Sequence, residues 1–144
     1  MLRIERTVRE AMIDHCRSKL PCEACGALFG PSADRLAPIT AWAPIANRAA
    51  DPLTSFAFDG REWIDSLYAA ERDRLKLLGL FHSHPRTAAA PSGEDASAQP
   101  PGSLSYWIVS FAAPDRPVVA SYIYDPHSAE AGPFGFRREP HTIV

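Results

Sequence analysis

The stretch of sequence that decides the fold reads Leu77-Leu78-Gly79-Leu80-Phe81-His82-Ser83-His84-Pro85, and Ser92-Gly93-Glu94-Asp95 follows it after six residues. Residues 77–81 are apolar, which predicts a buried strand that runs directly into the two histidines. Side chains two residues apart on a strand point to the same face of a sheet, so both imidazoles can converge on one point. Ser92 is a good helix N-cap residue, and a helix start there would fix the orientation of Asp95.

This arrangement predicts a metal site made from His82, His84 and Asp95. Two neutral imidazoles and one carboxylate leave a zinc ion one open position for water, which is the pattern of catalytic rather than structural sites. Residues 86–105 are rich in Ala, Pro, Ser and Gly and are predicted to form a long loop, a kind of segment that is often functional. A His-x-His pair can also arise by chance at a strand end, and Glu94 is a rival ligand that we expect to face solvent.

The rest of the chain contains two predicted helices and several short strands. Thr7-x-x-Glu10 has the pattern of a capping box and predicts a helix that ends at Pro21. Asp59-x-x-Glu62 predicts a second helix of about four turns. Strands are predicted at residues 25–29, 36–45 (at a sheet edge, because of its prolines), 56–58, 77–81, 106–111, 118–124 and 135–139. Because helices and strands are mixed without regular alternation, the predicted class is α/β (α+β), with a central mixed sheet flanked by helices.

Length and composition favour a single domain over residues 1–144. The chain is 46% hydrophobic and 22% charged, with a formal net charge of −2. No basic run indicates a nucleic-acid partner, and no apolar run is long enough for a membrane span. The first nine residues lack the apolar core of a secretory signal, so a cytoplasmic location is expected. The three cysteines are an odd number near the N-terminus, which favours free thiols over a disulfide framework.

Beyond these inferences, His82-Ser83-His84-Pro85 followed by Ser92-Gly93-Glu94-Asp95 closely resembles the JAMM metalloprotease signature of the JAB/MPN domain family. In that family a glutamate lies just before a Cys-Gly-hydrophobic-hydrophobic-x-Gly strand. Residues 21–30, Pro-Cys-Glu-Ala-Cys-Gly-Ala-Leu-Phe-Gly, match this pattern and point to Glu23. Asn47, with the loop that follows it, also looks like the corresponding segment of small stand-alone bacterial members. The resemblance spans roughly residues 6–125.

The resemblance implies an MPN fold, similar to that of cytidine deaminases, and a zinc ion held by His82, His84, Asp95 and a water. It implies hydrolysis of peptide or isopeptide bonds at the C-terminus of ubiquitin-like proteins, and the short chain favours the sulfur-carrier type over ubiquitin itself. Glu23 would take the proton of the water and pass it to the leaving amine, a role worth about 10²–10⁴-fold in rate. The Ser92 hydroxyl would help to stabilise the oxyanion.

Other interpretations compete with this one. Residues 21–25 fit the Pro-Cys-x-x-Cys half of the zinc-deaminase signature, but the nearest candidate for the other half, His15-Cys16-Arg17, has Arg where the catalytic Glu belongs. Cys25 could act as a nucleophile if a histidine and a carboxylate lay beside it. A non-catalytic binding scaffold is the non-enzymatic alternative. A structural zinc site could use four side chains, namely His15, Cys16, Cys22 and Cys25.

Several polar side chains outside the metal motif have structural interpretations. Ser83 should point to the opposite face of the strand from the two histidines. Asn47 could shape its loop or contact the backbone of a substrate, and we favour the first interpretation. His15 lies on the apolar stripe of the first helix and is predicted to be packed in the core, whereas His127 and His141 are predicted to be exposed.

Overall fold

The computed structural model describes residues 1–97 and 100–144, and within them the predicted mixed α/β class is confirmed. Three helices are present: α1 (Arg6–Ser18), α2 (Gly60–Arg72) and the short α3 (Gly93–Ser97). None of these described helices has the length and apolar character that crossing a membrane requires. The strands are β1 (Leu2–Ile4), β2 (Cys25–Gly30), β3 (Ala41–Ile45), β4 (Lys76–His84), β5 (Ser105–Ser110), β6 (Val118–Tyr124), β7 (Phe136–Arg138) and β8 (His141–Ile143).

Six strands form the central sheet in the order β3-β2-β4-β5-β6-β7. The β4–β5 pair is parallel, and the other neighbouring pairs are antiparallel. The strands β3 and β7 lie at the two edges, and the edge position of β3 confirms the prediction from its prolines. Because β4 is central, His82 near its C-terminal end has a strand on each side, and it pairs with Cys25 of β2 and with Ile108 of β5. His84 pairs with Ser110 of β5.

Helix α1 covers one face of the sheet. Its buried side chains, Val8, Met12, Ile13 and Cys16, share one core with residues of β2, β4, β5 and β6. The same core includes residues of β1, which pairs with β8 in a small parallel sheet. Helix α2 covers the β3-β2-β4 half of the opposite face, where Leu67 and Ala70 pack on Ala27 and Leu80. The β5-β6-β7 half of that face carries a third cluster around Ile108, Tyr122 and Phe136. The two histidines of β4 lie on this second face, between the two halves.

The N-terminal ends of helices α1 and α2 can be compared with the capping signals predicted from the sequence. The Asp59 cap is confirmed, because the Asp59 carboxylate accepts a hydrogen bond from the Glu62 N–H at 2.9 Å. The Thr7 capping box is wrong. The N-cap of helix α1 is Glu5, two residues before Thr7, and Glu5 makes no side-chain capping bond. The Glu5 N–H instead donates to the Ile39 carbonyl, so β-like pairing of the preceding chain determines where the helix starts.

Other predictions of extended and irregular structure need correction. Residues 56–58 do not form a strand; Phe58 makes only an isolated bridge to Asn47. Strands β1 and β8 were not predicted, because three-residue strands that join the two ends of a chain leave no periodic signal. The predicted loop 86–105 contains α3, which begins just after Ser92, and residues 98 and 99 of it lie outside the described part of the chain.

Candidate metal centre

The structure brings the three predicted metal ligands together. Donor atoms of His82, His84 and Asp95 all lie within 4.8 Å of one another. The two Nε2 atoms of the histidines are 3.1 Å apart, and His82 Nε2 is 3.2 Å from Asp95 Oδ1. Two nitrogen donors and one oxygen donor this close together are the types of ligand that zinc prefers. The donor set therefore fits a divalent metal ion that accepts nitrogen and oxygen ligands.

The orientation of His84 is fixed by the loop that follows β4. Its Nδ1 lies 2.8 Å from the Ala88 carbonyl oxygen. A carbonyl can only accept, so Nδ1 carries the proton and Nε2 keeps its lone pair toward the other ligands. The neighbouring carbonyls of this loop are also bound: Ser110 Oγ donates to Thr87 O at 2.6 Å, and Tyr122 OH donates to Ala89 O at 2.6 Å. Side chains from β4, β5 and β6 thus hold the loop in a position that selects the His84 tautomer a metal needs.

Asp95 is oriented by the start of α3. The Ser92 N–H donates to Asp95 Oδ2 at 2.7 Å, which leaves Oδ1 facing His82. In return, the Asp95 N–H points to Ser92 Oγ at 3.4 Å, as expected for the predicted N-cap. Because Ser92 holds one carboxylate oxygen, only the other is directed to the candidate metal centre.

His82 lies in an apolar environment that keeps its ring neutral. The Phe56 ring stacks on the imidazole with a centroid distance of 4.4 Å. Burial lowers the pKa of His82, against the opposing effect of Asp95, so the imidazole is uncharged at neutral pH. A neutral ring is the form that binds metal. Phe56 thus lies against a β4 side chain, and residues 56–58 are not a strand of the sheet.

Glu23 is buried, with 7% of its surface exposed, and its backbone is held on both sides. Its N–H donates to the Pro52 carbonyl at 2.7 Å, and its carbonyl accepts from Asn47 Nδ2 at 3.0 Å. The next residue is tied to β4, since the Ala24 N–H donates to Ser83 Oγ at 2.8 Å and the Ser83 N–H donates to the Ala24 carbonyl at 3.0 Å. Ser83 lies between the two histidines in sequence, so these bonds link Glu23 directly to the ligand strand.

The surroundings of Glu23 favour its protonated form. Burial, followed by the negative charges of Asp95, Glu94 and Asp51, raises its pKa to about 7. A carboxyl group with a pKa near neutral pH can both accept and release a proton, which suits a general acid–base residue. Strong pKa shifts in a cleft are typical of functional sites.

Glu23 and the three metal-ligand candidates line one cavity of about 840 Å³. Its walls are largely apolar and come from both sides of β4. One side is the loop around Leu53 and Phe56, and the other is formed by Tyr106, Ile108 and Phe136. Ser92 and Glu94 also line the cavity, and Glu94 is exposed as predicted. An apolar cavity with a few convergent polar groups is suited to a short stretch of peptide chain or a small molecule.

The cysteines do not support the competing interpretations. Within residues 1–97 and 100–144, His82, His84 and Asp95 form the one group that could hold a metal, so His15 and the cysteines form no second site there. Cys25 is buried, its thiol donates to the Ile45 carbonyl, and burial raises its pKa to about 12. A thiol in that state is a poor nucleophile. Cys16 is equally buried, and burial raises its pKa to about 12 as well.

The remaining histidines give a mixed outcome. His15 packs against Trp42 at the border of the core, half-buried rather than fully enclosed. His127 is exposed, as predicted. The prediction that His141 is exposed is wrong: it lies 4.6 Å from the Trp107 ring centroid, and its Nδ1 is 2.8 Å from Ser121 Oγ. Its position in β8, a strand with no sequence signal, is the reason for the error.

Sequence reasoning also missed the side chains that support the site. Ser83 was predicted to be structural, and the structure shows that it anchors the segment carrying Glu23. Ser110 and Tyr122 were not singled out, although they hold the loop beyond His84. Their partners are backbone carbonyls on a distant segment, so nothing in the local sequence could have identified them. Asn47 does shape its loop as interpreted, because its Oδ1 accepts from the N–H groups of Ala49 and Ala57.

A mixed α/β domain with two histidines at the end of a central strand and an aspartate at a helix start defines a candidate metallohydrolase. Comparison with known proteins supports this class. The family model described as prokaryotic homologs of the JAB domain matches residues 5–122. The chain therefore belongs to the prokaryotic JAB family, and the resemblance to JAMM proteins is confirmed.

Individual relatives are consistent with this assignment. A desampylase of Haloferax volcanii is 33% identical over 98 residues, which cover 65% of this chain and 69% of that protein. A CysO-cysteine peptidase of Mycobacterium tuberculosis is 32% identical over 123 residues, covering 85% and 82% of the two chains. A solved JAB1/MPN domain protein of Archaeoglobus fulgidus is 16% identical and superposes with a TM-score of 0.63 over 99% of this chain and 97% of its own, which shows the shared fold.

Proposed function

We propose that this protein is a zinc-dependent peptidase that hydrolyses an amide bond at the C-terminus of a ubiquitin-like protein of the sulfur-carrier type. The active site would lie within a single domain over residues 1–144, with zinc held by His82, His84 and Asp95. The observation that carries the proposal is the convergence of these three donor groups, within 4.8 Å of one another, in the wall of a cavity that Glu23 also lines.

The fit to zinc rests on the chemistry of the donors. Both imidazoles are buried, and the hydrogen bond from His84 Nδ1 leaves its Nε2 free to coordinate. One carboxylate oxygen of Asp95 completes a set of two nitrogens and one oxygen. When bound there, zinc would act as a Lewis acid and would lower the pKa of the attacking water from about 15.7 toward about 7.

Glu23 and Ser92 would carry out the steps assigned to the protein. The carboxylate of Glu23 takes a proton from the water as the oxygen adds to the scissile carbonyl carbon. The Ser92 hydroxyl donates to the oxygen that becomes negatively charged. Glu23 then delivers its proton to the amide nitrogen as the C–N bond breaks, so one product carries a new carboxylate and the other a free amine. The raised pKa of Glu23 fits a group that must do both.

The substrate class is supported by the relatives and by the shape of the site. One relative is named a CysO-cysteine peptidase, and it aligns with most of this chain. The cavity is a mainly apolar groove that is open to solvent next to exposed residues such as Leu53. A flexible C-terminal tail can enter such a groove in extended form, whereas the folded body of a carrier would stay outside.

The test is cleavage by the Glu23→Gln variant. A ubiquitin-like carrier ending in Gly-Gly, extended by a short peptide, serves as the substrate, and zinc content is measured on the same samples. We expect Glu23→Gln to keep its zinc and to lose at least about a hundredfold in kcat. The control is Glu62→Gln on α2, because the Glu62 carboxylate accepts a hydrogen bond from the Ala46 N–H and does not line the cavity. If Glu23→Gln cleaves as fast as the wild type, the assigned mechanism is wrong.

A further inference from the structure

Arg86 lies in the cavity without an assigned role. It comes two residues after His84, which is at most about 7 Å of chain, and it lines the same cavity as the ligand candidates. It is exposed, and within residues 1–97 and 100–144 it forms no salt bridge or side-chain hydrogen bond. An arginine beside a reaction centre, with no internal partner, is available to a ligand.

The backbone next to Arg86 is held in place by hydrogen bonds. The three carbonyls that follow it, of Thr87, Ala88 and Ala89, each accept a hydrogen bond from a side chain of the central sheet. Pro85 precedes it and restricts the backbone further. The entropy lost when the guanidinium binds a ligand is thus confined to the side chain, which favours specific recognition.

The charges of the cavity point to the kind of ligand. Glu23, Glu94 and Asp95 are the acidic residues that line it, and among the described lining residues Arg86 is the one Lys or Arg. Away from the candidate metal centre, Arg86 is the one positively charged side chain among the described lining residues with which a substrate carboxylate could pair. The planar guanidinium binds carboxylates in a bidentate manner, which fixes position as well as charge.

From these observations we infer that Arg86 binds the free α-carboxylate of the leaving group. This inference rests on the proposed function and narrows it. The scissile bond would then be a main-chain amide, and the group released would be a single amino acid or a very short peptide. In an isopeptide the leaving amine belongs to a lysine side chain, which has no free carboxylate at that distance. Hydrolysis leaves the carboxylate on Arg86 unchanged and releases the amine after it gains its proton.

A pair of substrates tests this directly. A ubiquitin-like carrier ending in Gly-Gly is extended by one alanine, either as the free acid or as the α-carboxamide, which removes only the charge. We expect the wild type to favour the acid in kcat/KM by about tenfold or more. Arg86→Ala should lose that preference by reacting more slowly with the acid and no more slowly with the amide. Arg86→Lys should keep part of it, because charge remains and the bidentate geometry is lost.

Controls separate this role from other effects. Arg72→Ala removes an exposed arginine of α2 that does not line the cavity, and it should behave as the wild type. The acid and amide substrates are also titrated calorimetrically into Glu23→Gln protein, where the acid should bind more tightly only if Arg86 is present. Equal cleavage of acid and amide by the wild type, or an equal loss for both in Arg86→Ala, would overturn the inference and leave the peptidase proposal intact. If the wild type cleaves neither, the proposed function itself fails.

Discussion

Ser83 and Ala24 exchange two hydrogen bonds: the Ala24 N–H donates to Ser83 Oγ at 2.8 Å, and the Ser83 N–H donates to the Ala24 carbonyl at 3.0 Å. Ser83 stands between the two histidines on β4, and Ala24 follows Glu23. The bonds therefore set the distance between the candidate metal centre and the candidate proton carrier. Both residues are buried, so water cannot replace the lost partner if one bond is removed.

Replacing Ser83 by Ala tests this connection. The Ala24 N–H would be left without its partner, and we expect the free energy of unfolding to fall by about 1–3 kcal/mol. We also expect kcat to fall at least about tenfold with zinc content unchanged, since the ligands remain while the segment that carries Glu23 loses one of its two hydrogen bonds to Ser83. Urea unfolding, elemental analysis and steady-state kinetics measure the three quantities.

The matched control for this variant is Ser66→Ala on α2. Ser66 Oγ donates to the Trp63 carbonyl within the helix, away from the cavity, so kcat should not change. A Ser83→Ala protein that loses stability and keeps the wild-type kcat would show that Ser83 supports only the fold.

The Asn47→Asp variant distinguishes the hydrogen bonds that the Asn47 side chain donates from those that it accepts. The Asn47 amide group donates to the carbonyls of Glu23 and Ser55, and its Oδ1 accepts from two backbone N–H groups. Aspartate keeps the acceptor and replaces the donor by a charged oxygen that faces two carbonyls. We expect a loss of about 1–3 kcal/mol in unfolding free energy and a lower kcat, with KM less affected.

Asn47→Ala provides the comparison, because it removes both the donated and the accepted hydrogen bonds without adding charge. If kcat in Asn47→Asp equals that of the wild type, the bond to the Glu23 carbonyl does not position the carboxylate. A fall in zinc content in either variant would also count against the assignment, since Asn47 contacts none of the three ligands.

How far the sequence could predict this site depends on whether the signal is local. His82, His84, Ser92 and Asp95 lie within one short stretch, so spacing alone brought them together as candidates. Glu23 could be found only through the resemblance to a family, because it lies about sixty residues before the metal-ligand candidates in the sequence. The hydrogen bond between Ala24 and Ser83 brings it beside them. Its neighbours alone would have suggested a surface carboxylate.

The strands divide in the same way, into those with a local sequence signal and those without one. The apolar runs of β4, β5 and β6 predicted strands close to their observed bounds, since burial on both faces leaves a continuous signal. The predicted strand at 56–58 failed because Phe56 stacks on His82 instead of joining the sheet. Strands β1 and β8 could not be predicted, because their pairing joins opposite ends of the chain.

His141 predicts how stability depends on pH at a site remote from the metal ligands. Burial, together with the positive charges of Arg9 and Arg138, lowers its pKa from 6.5 to about 4. Between these two values the unfolded chain binds the proton more readily than the folded protein does. Stability is therefore retained above pH 6.5 and falls as the pH drops toward 4.

The measurement is the free energy of unfolding at pH 7.5 and at pH 4.5 for the wild type, His141→Gln and His127→Gln. The wild type should lose about 1 kcal/mol more than His141→Gln over this interval, a figure reduced for the partial exposure of the ring. His127→Gln changes an exposed ring and should follow the wild type. An identical pH dependence in all three proteins would contradict the assignment to His141.

The central claim is that His82, His84 and Asp95 hold one zinc ion, and the most direct test is the zinc content of purified protein. Elemental analysis should find about one zinc per chain in the wild type and close to none in Asp95→Ala, with circular dichroism showing that the variant is folded. Zinc that stays at one equivalent in Asp95→Ala, or a wild-type protein that cannot be loaded with zinc, would contradict the account.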